Sequence, residues 1–160
     1  MSASTPARVD KKLVDAAMTA SRVLVGVAAR SLSGYEDEVS LQQYRALVVL
    51  ASRGPQRPAD LAEALGIEPS TVTRLCDRLV EKRLISRRRE TDDRRVVRLD
   101  LTKRGGRLID AVTDRRRQEI AHILAAVSTR QRVALVHAFE AFGAAAGEVP
   151  EEQWARSWDL

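Results

Sequence analysis

Apolar and polar positions along this chain follow two periods, and the period changes where the architecture changes. From Val9 to about Leu32, the residues Leu13, Ala17, Ala20, Leu24, Val27 and Ala28 recur at helical spacing and predict a long first helix. It is rich in Ala and Val, with more apolar surface than one face of a small domain needs, and Ser33-Gly34 stops it. Ser40 caps a second helix, with Gln43 at the reciprocal capping position, a stripe of Tyr44, Leu47, Val48 and Leu50, and Gly54-Pro55 at its end. Gln56-Arg57 is too short for an independent strand but long enough to pair with a ribbon edge. Pro58 suits the first position of a third helix, with Asp60 in its first turn near the positive end of the dipole. Leu61, Ala62 and Leu65 face inward; Gly66 marks a sharp turn, which Ile67 plugs. Pro69 then opens a fourth helix running to about Arg83, behind Glu68, a weaker cap than Ser or Thr.

Beyond that point the period drops to two. Ile85–Glu90 and Val96–Leu101 flank Thr91-Asp92-Asp93-Arg94-Arg95, and in the second segment Val97, Leu99 and Leu101 alternate with Arg98 and Asp100. This is the pattern of a ribbon with one covered face. Thr102 caps a long helix from Lys103 to about Val127. Gly105-Gly106 in its first turns costs roughly 1 kcal/mol per Gly relative to Ala, which predicts a close backbone approach there, to another element or to a phosphate. Ser128 caps a last helix with Leu135, Phe139 and Phe142 on one face, Glu148-Val149-Pro150 ends it, and the tail carries Trp154 and Trp158. The expected fold is mainly α with a small β-wing: a winged helix-turn-helix with N- and C-terminal dimerisation helices. Residues 1–8 would be a flexible arm, 9–34 and 103–147 the helical dimerisation region, 40–102 the DNA-binding region and 148–160 a tail anchored on the dimer surface.

Composition narrows the classes. The chain has 160 residues, enough for a proper core; it has no long apolar run, and MSASTPARVDKK lacks the apolar segment of a signal peptide. A cytoplasmic protein without a membrane partner is expected. One cysteine, Cys76, and two histidines, His122 and His137, argue against a disulfide or a structural metal, and no cofactor is expected. No carboxylate pair, nucleophile–base set or glycine-rich phosphate loop points to an enzyme. Charge matters once located: residues 70–107 hold thirteen Lys/Arg against six Asp/Glu, a surplus larger than the +5 of the whole chain. That is the footprint of a surface facing a polyanion, or else a solvated face, and its coincidence with the helix-turn-helix pattern favours the former.

On the fourth helix Val72, Leu75, Cys76 and Leu79 form the core side, while Ser70, Arg74, Asp77 and Glu81 point outward and Thr71, Thr73 and Arg78 flank them. The outward N-terminal half is hydroxyl and guanidinium, which suits entry into a major groove by the N-terminus. Arg74 has the geometry for guanine O6 and N7, its alternative being a plain phosphate or surface residue. Ser70, Thr71 and Thr73 reach base edges or phosphates, and Arg78 a phosphate. Asp77 either accepts from cytosine N4 or, the favoured reading, orients Arg74 or Arg78. At the ribbon tip Arg94 and Arg95 suit a narrow minor groove, with Asp92 and Asp93 bracketing them; the plain alternative is a surface hairpin of mixed charge. The run Arg115-Arg116-Arg117 reads as a solvated face of a long helix.

DLAEALGIEPSTVTRLCDRLVEKRLISRR followed by DDRRVVRLDLTKRG closely resembles the MarR family of transcriptional regulators, including its Asp-x-Arg at Asp93 and Arg95, then Leu101-Thr102 and Gly105. The resemblance covers roughly residues 9–147. It implies a homodimer with interlocked terminal helices, Arg95 in the minor groove with Asp93 orienting it, and double-stranded DNA as partner. Some relatives sense peroxide through a cysteine near the first helix; this chain has none there, and Cys76 reads as a buried core thiol. Many relatives bind small aromatic acids between the lobes. Arg22, Arg30, Tyr35, Tyr44 and His122 lie in suitable helices for such an aromatic or acidic effector, though each also reads as a surface or packing residue. The expected function is a sequence-specific DNA-binding regulator, mainly a repressor that blocks promoter access, on a pseudo-palindrome with half-sites about 34–36 Å apart. The rivals are a non-specific or architectural DNA binder and a winged helix used for protein contacts.

Overall fold

The computed structural model describes residues 9–89 and 96–154. In chain order these form α1 (Lys11–Ser31), α2 (Leu41–Arg53), α3 (Pro58–Leu65), α4 (Pro69–Glu81), β1 (Ile85–Arg89), β2 (Val97–Leu101), α5 (Lys103–Ala125) and α6 (Thr129–Ala145), then one 3-10 turn, Glu151–Gln153. The architecture is the expected one, mostly helical with a two-stranded antiparallel wing. Three helix starts are held by the side chains expected to hold them. Ser40 Oγ accepts from the Gln43 N–H at 3.2 Å while Gln43 Oε1 accepts from the Ser40 N–H at 2.9 Å. Thr102 Oγ1 accepts from the Gly105 N–H at 3.1 Å, and Ser128 with Gln131 repeats the reciprocal cap on α6.

The core belongs to one half of the molecule. α2 lies at its centre with Gln43, Tyr44, Ala46, Leu47, Val49, Leu50 and Ala51 buried. Because α3, α5 and β2 all pack on it, burial runs beyond a single stripe, and Val48 of the expected stripe is only partly covered. Leu61 and Ala62 of α3, the four inward residues of α4, and Leu84, Ile85, Leu99, Leu101, Leu108, Ile109 and Val112 complete one continuous cluster. Leu65 is only partly buried.

β1 and β2 pair from Ile85↔Leu101 to Arg89↔Val97. Gln56 adds a bridge to Leu99, with N–H···O distances of 3.0 and 2.8 Å, so the Gln56-Arg57 segment does pair with the wing edge. One expectation fails in β2. Asp100, assigned to an open face, is 9 % exposed and its Oδ2 lies 3.5 Å from Arg88 Nη2 on the diagonal of the neighbouring strand. A carboxylate this covered persists because it has a cation within reach.

α4 stops at Glu81, two residues short of the predicted end. Lys82 caps it and Arg83 turns into the left-handed region at φ +57°, so that the Leu84 N–H reaches the Leu79 carbonyl at 2.9 Å. The close approach predicted at the paired glycines is real and belongs to Gly105. A Cβ there would stand 2.2 Å from the Leu84 carbonyl oxygen, which already accepts from the Thr102 N–H at 3.1 Å.

The terminal helices are different. α1 packs against α5 and buries only Val27 and Ser31, leaving Leu13, Met18 and Val25 at 64, 55 and 59 % exposure. α6 buries nothing: Phe139 and Phe142 of the expected face stand open, as do Val133 and Val136. The tail turns back, and the Trp154 indole N–H donates to the Val149 carbonyl at 3.1 Å while the ring packs on the core of its own chain. Trp154 thus packs on α2 and α5 of its own chain; Trp158 lies outside the described residues. None of the described helices is long and apolar enough to cross a membrane.

Candidate nucleic-acid interface

The turn between α3 and α4 is closed by Gly66 at φ +64°, with the Ile67 N–H on the Ala62 carbonyl at 3.1 Å. Pro69 starts α4 and, as expected from Glu68, no side chain caps it. Its buried residues are Val72, Leu75, Cys76 and Leu79, so the rotation of the helix about its axis is set by the core. Ser70, Thr73, Arg74, Asp77 and Arg78 are consequently exposed, and Thr71 is partly covered. Thr73 donates its hydroxyl hydrogen to the Pro69 carbonyl at 3.1 Å, which leaves its lone pairs facing out. Thr71, Arg74 and Arg78 meet Ser40, Gln42 and Gln43 of the α2 start around a notch of about 220 Å³. Gln42 is a contributor that the sequence did not flag, because the α2 start read only as a cap.

The basic residues sort by what they touch. Lys82 Nζ donates to the Asp37 and Glu38 carbonyls at 2.8 Å each, and Arg104 pairs with Glu38 at 2.9 Å. Arg98 donates to the Pro55 carbonyl at 3.4 Å, and Arg88 holds Asp100. Arg74, Arg78 and Arg89 have no hydrogen-bonding or ionic partner among the described residues. Exposed guanidinium groups without internal partners are available to an external anion. Asp77 corrects its expected role: it holds neither Arg74 nor Arg78, but accepts from Arg87 Nη2 on β1 at 2.6 Å. Ten residues separate the two in sequence, and helical spacing alone cannot see across the turn. Arg94 and Arg95, with Asp93, lie outside the described residues.

The five residues considered for an effector do not converge. Arg22 donates to Thr19 Oγ1 at 3.1 Å on the outer side of α1, Arg30 pairs with Glu119, His122 is exposed, and Tyr35 lies beneath Arg115 at 4.8 Å. Tyr44 alone lines a sizeable cavity, of about 590 Å³, with Ala28, Leu41, Val48, Leu65, Arg45 and Arg116. Two cations line it: Arg45, which pairs with Glu148, and Arg116, from the run read as solvated. The Arg116 guanidinium carbon lies 5.2 Å from the centre of the Tyr44 ring and its Nε is buried without a partner among the described residues. The neighbours are engaged as well: Arg115 donates to the Ser33 carbonyl, and Arg117 pairs with Glu151, both at 2.5 Å. Burial raises the Tyr44 hydroxyl above its ordinary range, the Thr113 hydroxyl at 3.3 Å opposing it. Cys76 is 1 % exposed and desolvation lifts its thiol to about 11, so it stays protonated at neutral pH, as a core thiol should. No group of His, Cys, Asp and Glu among the described residues could hold a metal ion.

Residues 39–97, spanning α2 to the start of β2, match the pattern of the MarR family. The HTH-type transcriptional repressor MdtR of Bacillus subtilis (strain 168) is 29 % identical over 145 residues, covering 90 % of this chain and 93 % of that protein. The crystal structure of RV1404 from Mycobacterium tuberculosis superposes with a TM-score of 0.81 at 39 % identity, over 89 % of this chain and 99 % of that one. A MarR family protein from Bacillus stearothermophilus shares the fold at 23 % identity, with a TM-score of 0.75 over 88 % of this chain and 100 % of its own.

Proposed function

This chain belongs to the MarR family of transcriptional regulators, and from that premise we propose that it is a sequence-specific repressor. As a homodimer it would occupy a pseudo-palindromic duplex and block promoter access. The observation that carries the reading is the pair Arg74 and Arg78: exposed, without partners among the described residues, on the open face of a helix whose opposite face is locked into the core. Arg74 reads guanine from the major groove; Ser70, Thr71, Thr73 and Arg78 hold flanking edges and phosphates. Arg94 and Arg95, set by Asp93, take the adjacent minor groove, as the resemblance implies. The bare faces of α1 and α6 support a second copy as the element that covers them. The Tyr44–Arg116 cavity, between α2 of the reading lobe and α5, suits a small aromatic or acidic effector whose carboxylate meets Arg116.

The test is competition between a duplex selected from a random library and an unselected one, at fixed salt. Arg74→Ala should cost about 1–3 kcal/mol on the selected duplex and little on the other, whereas Arg95→Ala should weaken both. Equal losses on both duplexes for Arg74→Ala would leave a non-specific binder. A panel of aromatic acids in the same assay tests the cavity: release that survives Arg116→Met counts against it.

A further inference from the structure

Asp77 is out of place on a surface that faces DNA. It sits between Arg74 and Arg78 in sequence, on the exposed side of α4, where a carboxylate repels phosphate. Among the described residues its partner is Arg87, whose Nη2 donates to Oδ1 at 2.6 Å. Arg87 stands in the middle of β1, opposite Leu99, two residues before Arg89 at the strand's end. Between helix and strand lie only Lys82, Arg83 and Leu84, with Arg83 in the left-handed region. The chain from 77 to 87 is therefore a loop closed at both ends, covalently through that turn and ionically through the pair.

We infer that Asp77 is a positioning residue for DNA reading: by holding Arg87 it fixes the root of the wing against the recognition helix, so that both engage one duplex in a single register. The inference rests on the reading proposed above. Mechanically it follows from leverage. β1 leaves the core at Ile85, which is 2 % exposed, and runs outward through exposed residues. With a rise of about 3.3 Å per residue, any rotation at Arg87 grows into a larger displacement toward the far end of β1 and beyond. Both partners are about half exposed, at 54 and 42 %, and a surface pair of this kind contributes little to folding. The effect of the pair thus falls on geometry. It also neutralises the carboxylate and keeps one guanidinium from roaming.

Two roles for Asp77 predict opposite signs. A merely repulsive carboxylate would, when removed, tighten binding to every duplex alike. A positioning carboxylate would, when removed, weaken the selected duplex and leave the unselected one unchanged or tighter. The experiment uses the full chain with Asp77→Ala, Arg87→Gln, the double variant and Arg87→Lys, each titrated against the selected and an unselected duplex, with thermal unfolding recorded. We expect Asp77→Ala to lose about tenfold on the selected duplex alone, the double variant to lose no more than Arg87→Gln, and Arg87→Lys to keep most of the selectivity. Unfolding temperatures should hardly move. Tighter binding of Asp77→Ala to both duplexes, or additive losses in the double variant, would overturn the inference while leaving the regulator intact. A wild-type chain that fails to distinguish the duplexes sinks both readings together.

Discussion

The lobe from α2 to β2 and the pair of terminal helices obey the same rules of helix formation, yet only the lobe satisfies its own surface. In the lobe every apolar stripe finds a facing element, and Leu47, Leu61, Val72, Leu79 and Leu99 are wholly buried. In the arms Leu13, Met18 and Val25 on α1 and Val133, Val136, Phe139 and Phe142 on α6 stand open, with no covering element among the described residues. At about 1.5–3 kcal/mol for covering one large apolar side chain, leaving that many open forgoes a stabilisation comparable to that of a whole domain. Apolar helix surface left this bare suits a contact outside the subunit. The difference separates what one copy does, which is to aim a helix, from what a second copy would add, which is spacing.

The largest effect should come from spoiling the arms. Phe139→Glu with Phe142→Glu places two carboxylates on the bare face of α6 and disturbs nothing inside the lobe. Scattering should show dissociation into single subunits. Affinity for a two-half-site duplex should fall by about 10²–10⁴-fold, the gain that linking two sites ordinarily confers. Affinity for a single half-site should stay put. A variant that remains dimeric, or a wild-type chain that is already a lone subunit, breaks the comparison at its root.

The lobe was largely legible in the sequence, for a physical reason: local periodicity reports which side of an element is covered. Val72, Leu75, Cys76 and Leu79 follow from helical spacing alone, the Ser40–Gln43 cap follows from its residue types, and the pairing of Gln56 with the wing is an option the sequence leaves open. Periodicity cannot report what lies across the gap. Arg115, Arg116 and Arg117 read in sequence as one solvated run, yet one stacks on Tyr35, one on Tyr44 and one pairs with Glu151. Asp77 and Arg87, and likewise Asp100 and Arg88, are joined by tertiary geometry, so the sequence offered the right residues without their partners. Sites made of cross-element ion pairs are read last because each half is unremarkable alone.

A middle-sized effect tests the lobe's tightness. Gly105→Ala puts a Cβ 2.2 Å from the Leu84 carbonyl oxygen and 3.0 Å from Leu101 Cδ1. The first of these is backbone, so α5 or the β1 entry must shift, at a cost of about 1–3 kcal/mol even though Ala is the better helix former. Chemical denaturation should show a lower midpoint. Since Leu84 begins the wing, DNA affinity should drop with stability. An unchanged midpoint would mean the lobe has slack, and the contrast with the arms would weaken.

The smallest effect concerns strain that the lobe carries by itself. Arg83 holds φ +57° at the end of α4, a conformation that costs a residue with a Cβ about 1 kcal/mol or more and costs glycine almost nothing. Its carbonyl accepts from Thr102 Oγ1 at 2.7 Å, a bond that glycine would keep, and its side chain has no partner among the described residues. Arg83→Gly should therefore stabilise the fold by about 0.5–1 kcal/mol, the relieved strain being partly offset by the freer unfolded chain. The urea midpoint should rise by the same increment at every protein concentration. That pattern follows if the strain lies within one subunit, because a change acting through the arms would make the increment depend on concentration through the dimer equilibrium. A fall in midpoint would show that the Arg83 side chain contributes more to the turn than its backbone costs.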